Sequence, residues 1–204
     1  MTTETAVLAT AWISQPALAG RPARTLLVGA AMLKIYYRFG SLSFDLRAHS
    51  TTVTDDPAET ITWLAESLHV PPSRLLLWRG EDIVVPSLVA AAETARDTVS
   101  AAKLLRELDL TFTREVIDVA ETHGGAKASS FHSVAHGAGI PFVPMTQVAL
   151  AEAHRLGNHF MIRQHLATRV KATWGLWLTA RQDAKSLIAA TETWLTTPDA
   201  EVRL

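Results

Sequence analysis

Apolar residues fall in short strand-like blocks at the start of the chain, and the pattern then changes to a helical period. Thr5–Ile13, rich in Val, Leu, Ala and Thr, predicts a strand, and Gln15–Pro22, with two prolines and a glycine, predicts the turn after it. Arg24–Leu33 predicts a second strand that can continue through Ile35, Tyr36 and Tyr37. Gly40-Ser41 interrupts it, and Ser43–Ala48 alternates as a third, more exposed strand. Three consecutive strands with short links predict an antiparallel meander.

Asp56-Pro57 followed by Glu59 is a helix start, with Asp55 or Asp56 as cap and Ile61, Leu64, Ala65 and Leu68 as the inward stripe. Pro71-Pro72 ends that helix, and Leu75–Trp78 has the wholly apolar character of a strand buried on both faces. Pro86–Ala95 and Thr98–Leu108 predict two further helices. From Val116 onward the pattern predicts helices only. Ser129 or Ser130 caps a short one that stops at Gly137–Pro141; then come Thr146–Leu156, a long helix over Asn158–Arg181, and Asp183–Trp194. Strands first and helices afterwards predict an α/β fold: a mixed sheet of three antiparallel strands and a parallel strand, flanked by helices, with a helical C-terminal half.

Composition narrows the function classes. With 204 residues, 48% of them hydrophobic and 19% charged, the chain predicts an ordinary globular protein with one domain over 1–204. A formal charge of −1 provides no global field toward nucleic acid or anionic lipid, so any such binding must come from a local patch. The absence of cysteine excludes disulfides, thiolate zinc sites and thiol nucleophiles, and fits a cytoplasmic protein. Met1–Ala11 lacks the basic start and long apolar run of a signal peptide, and no stretch approaches the ~18 uninterrupted apolar residues of a membrane span. The expectation is a soluble protein with no membrane partner.

Three strings, in order and at fitting distances, resemble the 3′–5′ exonuclease domain related to family-B DNA polymerases, in the DnaQ-like (DEDD) group of the ribonuclease H-like superfamily. The first is Trp78-Arg79-Gly80-Glu81-Asp82-Ile83-Val84-Val85-Pro86-Ser87-Leu88, similar to the family's strand-to-helix turn. The second is Val116-Ile117-Asp118-Val119, followed by Ser130 through Ile140-Pro141. The third, Ile162-Arg163-Gln164-His165-Leu166-Ala167-Thr168-Arg169-Val170 with Trp174 and Leu176-Trp177-Leu178 after it, is similar to the family's last helix. The resemblance covers the chain from the first strand to about Arg181 and implies a ribonuclease H-like sheet.

It also implies what ought to be present for catalysis. Such exonucleases hold two divalent cations between four carboxylates, which activate a water and stabilise the leaving oxygen. The family's first acidic pair belongs on the first strand, where this chain has Ala9, Thr10, Ala11 and Trp12, and no Asp or Glu occurs between Glu4 and Asp45. The second-motif aspartate falls on Val84, the final aspartate on Arg169, and its preceding tyrosine on His165. Thr10, Trp12, Val84, His165 and Arg169 are therefore the vestigial active-site positions that the resemblance implies. Hard cations need charged oxygen ligands, so no catalytic residue, metal or cofactor is expected.

At helical spacing Arg169 shares a side with Ile162, Leu166, Thr173, Leu176 and Trp177, inside an apolar arc. Its guanidinium is expected in the vacant metal space, paired with Asp82 or a carbonyl; a side chain that runs out to solvent along its methylenes is the alternative. Asp82 reaches the second-motif position only by a register slip, and Glu115 and Asp118 read as helix-start or structural groups. His132 and His136 have the i, i+4 spacing of two metal ligands, without a third at a recognisable spacing.

A binding face is the remaining candidate. No acid lies between Glu152 and Asp183, a segment that holds Arg155, Arg163, Arg169, Lys171 and Arg181 with His154, His159 and His165. With Arg79, the residues Arg155, Arg163, Arg169 and Lys171 are candidate phosphate contacts, and Arg155, His159 and Arg163 form a stripe if their helices are continuous. Trp174, Trp177 and Trp194 are spaced for core or interface packing. The expected function is an inactive exonuclease homologue that binds DNA or RNA or organises a nucleic-acid-processing complex with protein partners. A purely structural protein–protein subunit is the alternative, and a working metal-dependent exonuclease with a non-standard site is the third reading.

Overall fold

A computed structural model describes residues 3–15, 23–38, 41–181 and 184–196. Three long strands, β1 (Thr3–Gln15), β2 (Arg24–Arg38) and β3 (Ser41–Ser50), form the antiparallel meander that the blocks of Val, Leu and Ala predict. β4 (Arg74–Leu77) lies parallel to β1, and β5 (Glu115–Asp118) lies parallel to β4. The sheet runs β3-β2-β1-β4-β5, so it is mixed, as expected. The expected turn after Gln15 and the helix start at Asp183 lie outside the described residues.

The expectation of helix alone from Val116 onward is corrected by β5. Val116 and Ile117 pair in parallel register with Leu75 and Leu76. Four residues are too few to show alternation, and it is the exposed edge of β4 that makes them a strand.

Helices cover both faces. On one lie α1 (Ala58–Leu68), α2 (Val85–Glu93) and α3 (Thr98–Phe112), which pack Ile61, Leu64, Leu68, Leu88 and Leu104 onto Ala6, Leu8, Leu27 and Ala30. On the other lie α4 (Phe131–Gly137), α5 (Gln147–Arg155), α6 (His159–Thr179) and α7 (Lys185–Thr196), around Val7, Ala9, Ala11, Val28 and Leu33. Short polar side chains start most of these helices by accepting the orphan N–H groups of the first turn. Asp56 takes that of Ala58, Asp97 those of Val99 and Ser100, Ser130 that of Ser133, Thr146 that of Ala149 and Asn158 that of Met161. Asp55, the other expected cap of α1, instead turns back to the N–H and hydroxyl of Thr52. Among the described residues no helix is long and apolar enough to cross a membrane.

The meander is irregular at one point. Ala11 pairs with Gly29 but Trp12 pairs with Leu27, so Val28 is the extra residue of a bulge in β2. Val28 and Gly29 both turn toward α6, and α6 comes so close that a Cβ on Gly29 would sit 2.7 Å from Leu166 Cδ1 and 3.0 Å from Ile162 Cγ2. Glycine is required here by close approach. Gly29→Val is expected to lower stability by about 1–3 kcal/mol through overpacking, read as a lower denaturation midpoint at unchanged slope.

Candidate functional site

The carboxyl ends of the parallel strands are where an open α/β sheet exposes a crevice, and here the chain makes a tight, polar-tied corner. After Trp78 the backbone enters the left-handed region at Arg79 (φ 54°), which is costly for a residue with a Cβ. Asp118, at the end of β5, holds that corner. Its Oδ1 accepts the N–H groups of Arg79 (2.8 Å) and Ala120 (3.0 Å), and its Oδ2 accepts that of Gly80 (2.7 Å). A wide π-type turn over Gly80–Val84 then leads into α2. The carboxylate is engaged with backbone on both oxygens.

An aromatic cluster fills the seam between this corner, α4 and α6. Trp78 meets Phe131 edge to face at 5.0 Å, Phe131 meets Phe142 at 4.9 Å, and Phe142 lies 5.4 Å from the His165 ring. Arg169 lays its guanidinium over Phe131, 4.9 Å from the ring centroid. Burial pulls the Arg169 side chain below ordinary arginine basicity. His165 Nδ1 donates to the Val143 carbonyl at 2.8 Å, which makes Nδ1 the protonated nitrogen of the neutral ring. Burial lowers its proton affinity, that hydrogen bond partly offsets the effect, and the neighbouring Arg169 lowers it further.

The vestigial positions are not brought together. Val7, Ala9, Ala11 and Ile13 are the β1 residues that face α6. Thr10 and Trp12 alternate to the opposite face, where they pair with Ala30 and Leu27 of the α1–α3 core. Val84 is also buried in that core. Only His165 and Arg169 border the seam. The pairing expected between Arg169 and Asp82 is absent because Asp82 pairs with Arg79 at 3.2 Å. Asp118 is an anchor for the corner, as the structural reading had it, and Glu115 pairs with Arg74 across the β4–β5 ladder. His132 and His136 stack at 6.2 Å, and among the described residues no group of three or more His, Cys, Asp or Glu converges to hold a metal. With Ala9 and Ala11 below and a cation above, the donor set at the seam does not fit a pair of divalent ions.

The expected basic stripe is corrected as well. α5 and α6 are separate helices, broken by Gly157 in the left-handed region (φ 71°). Arg155 pairs with Glu152, His159 with Asp55, and Arg163 donates to the Ser50 hydroxyl. Lys171 lies over Trp194 at 5.2 Å, beside α7. Arg79 and Arg169 alone among the five candidate cations border the aromatic seam. Trp174 and Trp177 are core, stacked at 5.0 Å, and Trp194 stacks on Phe44 at 4.6 Å.

What replaces the stripe is an asymmetry of layers. Residues 122–181 build the α4–α6 side, and Glu152 is their one acid against Lys127, Arg155, Arg163, Arg169, Lys171, Arg181 and six histidines. Since the whole chain carries −1, the opposite layer and the edges are acidic. The signal was in the sequence, but its extent shows only when α4 and its loops are seen to share a layer with α5 and α6.

His154 and His165 of this layer, with His49 of β3, couple stability to pH. Burial lowers His154 and His165 below the ordinary value of 6.5, and His49, on β3, is lowered by burial and by Arg163. The unfolded chain therefore takes up these protons first, and stability present above about pH 6.5 is lost as the pH falls below it. Thermal midpoints followed from about pH 8 to about pH 5 are expected to drop on the acid side; a flat or rising profile contradicts the assignment.

A mixed five-stranded sheet with helical layers on both faces places the chain among the α/β proteins. Among solved structures it is similar to the family B DNA polymerase from the hyperthermophilic archaeon Pyrobaculum calidifontis, with a TM-score of 0.53 and 12% identity over 91% of this chain and 24% of the polymerase chain. The chain thus spans about a quarter of that polymerase, and at this identity the likeness is one of fold. No protein-family model matches the chain, and no curated protein matches it.

Proposed function

We propose that the chain, as a single domain, is a non-catalytic relative of polymerase-associated exonucleases that binds the backbone of DNA or RNA within a nucleic-acid-processing complex. The observation that carries this reading is the α4–α6 layer, with one acid against six lysines and arginines, in a fold similar to part of a DNA polymerase. Phosphate recognition needs such a local excess of cations and no sequence readout. In this reading Arg79 and Arg169 at the seam, and Lys127 just before α4, meet the phosphates.

Electrophoretic shift with single-stranded and duplex probes, in a salt series, tests the proposal. Affinity is expected to fall as salt rises, and Arg79→Ala with Lys127→Ala to reduce the salt slope by about 2 on every sequence alike. Lys103→Ala, which removes one positive charge from the opposite layer beside Glu66, is expected to change neither. Binding that is absent or indifferent to salt would sink the nucleic-acid reading. Incubation of an end-labelled strand with magnesium or manganese is expected to leave it intact; shortening that Asp82→Ala abolishes would restore a nuclease.

A second reading, a scaffold that touches only proteins, is favoured by Val148 (80% exposed) on α5, Leu156 (63%) just after it and Phe160 (66%) at the start of α6. Salt-insensitive capture of a protein partner, blocked by Phe160→Asp, supports it.

A further inference from the structure

The sheet ends on one side in β5, only four residues long, and on the other in β3, which is ten. β3 pairs with β2 along its whole length, so half of its N–H and C=O groups point away from the sheet. Among the described residues no backbone hydrogen bond outside the strand ladders reaches residues 41–49. α6 and α7 lie over one face of β3 and not along its edge: Trp194 stacks flat on Phe44, and Leu46 and Ala48 belong to the same core as Ile162 and Leu166. Among the described residues the edge is long, regular and open.

Two charges stand at its middle. Asp45 and Arg47, two apart and therefore on one face, already pair within the strand, with Arg47 Nη2 2.9 Å from Asp45 Oδ2 and Nε donating to Oδ1 at 3.2 Å. This arrangement is complementary to itself. If a second copy lies antiparallel with the two-fold axis at Leu46, each Asp45 faces the other copy's Arg47. On the opposite face Leu46 meets Leu46 and Phe44 meets Ala48. A slip of two residues, the smallest that keeps the faces, sets Asp45 against Asp45 or Arg47 against Arg47, like charges directly opposite. A slip of one puts the apolar face of one copy beside the charged face of the other. The charge pair therefore selects one register out of the neighbouring ones.

We propose that the chain forms a two-fold dimer by antiparallel pairing of β3 with β3, centred on Leu46. The two sheets join into one of twice five strands, and both α4–α6 layers come to lie on its same face. Main-chain hydrogen bonds hold the copies together, and the square of Asp45 and Arg47 pairs sets the register.

Sedimentation equilibrium of the full chain tests this, with circular dichroism to show that each variant is folded. The wild type is expected to be a dimer. Arg47→Asp leaves only acids in the square and Asp45→Arg only cations, so each variant alone is expected to dissociate about tenfold to a hundredfold more readily. Mixed in equal amounts, the two variants are expected to form a heterodimer, because every Asp then faces an Arg; the double exchange, Asp45→Arg with Arg47→Asp, is expected to dimerise by itself. Amide exchange of β3 in the wild type is expected to slow as protein concentration rises. A wild type that is monomeric at its highest soluble concentration, single variants that dimerise as the wild type does, or a mixture that stays monomeric would each overturn the proposal.

Discussion

Asp118→Ala is expected to lower stability by about 2–4 kcal/mol. The methyl group strands three backbone donors at once, those of Arg79, Gly80 and Ala120, which the carboxylate holds at 2.7–3.0 Å. Two of the three belong to the corner that keeps Arg79 at positive φ, so the loss also releases a strained residue from the contact that holds it there. Asp118→Asn retains one acceptor oxygen and is expected to recover part of the loss. Denaturation midpoints of the two variants give the comparison. If both match the wild type, the carboxylate is not the tie, and a chemical role for it returns.

Trp174→Ala carries the other large effect, about 3–5 kcal/mol, the usual cost of emptying a buried aromatic site. The indole is 2% exposed, stacks on Trp177 and donates its Nε1–H to the Thr191 hydroxyl at 2.9 Å, so it joins α6 to α7. Trp174→Phe keeps a ring against Trp177 but loses that donor, and is expected to cost about 1–2 kcal/mol. A phenylalanine variant as damaged as the alanine one would assign the stability to the hydrogen bond and not to packing. Because α6 also carries His165 and Arg169, the alanine variant should weaken the aromatic seam as well, seen as enhanced amide exchange over α6.

Much of the frame is legible as pattern. The blocks of β1–β3, the stripe Ile61, Leu64, Ala65 and Leu68, and the caps Asp56, Ser130, Thr146 and Asn158 each depend on neighbours a few residues away, and local chemistry is enough to read them. The site is less legible. Sequence could say that β1 carries no acid beyond Glu4, but not that Ala9 and Ala11, rather than Thr10 and Trp12, face α6. That choice depends on which face of the pleat α6 covers, and a strand's alternation does not name its partners. The sequence does not reveal Trp78, Phe131 and Phe142 as a cluster because they lie far apart in the chain; the aromatic at the end of a strand and those beside a short helix are the signal it offers.

Residue order alone settled the first three strands with the helix and buried strand after them, the scarcity of acids after Glu121 and the want of a carboxylate pair on the first strand, since each is a property of adjacent residues or of composition. Folding in three dimensions decided that Glu115–Asp118 is a strand, that Asp118 ties a corner, that Arg169 rests on Phe131 and not on Asp82, and that α5 and α6 do not share one basic stripe. These depend on contacts between residues distant in sequence, where burial and hydrogen-bond satisfaction outweigh the weak local preferences of any single segment.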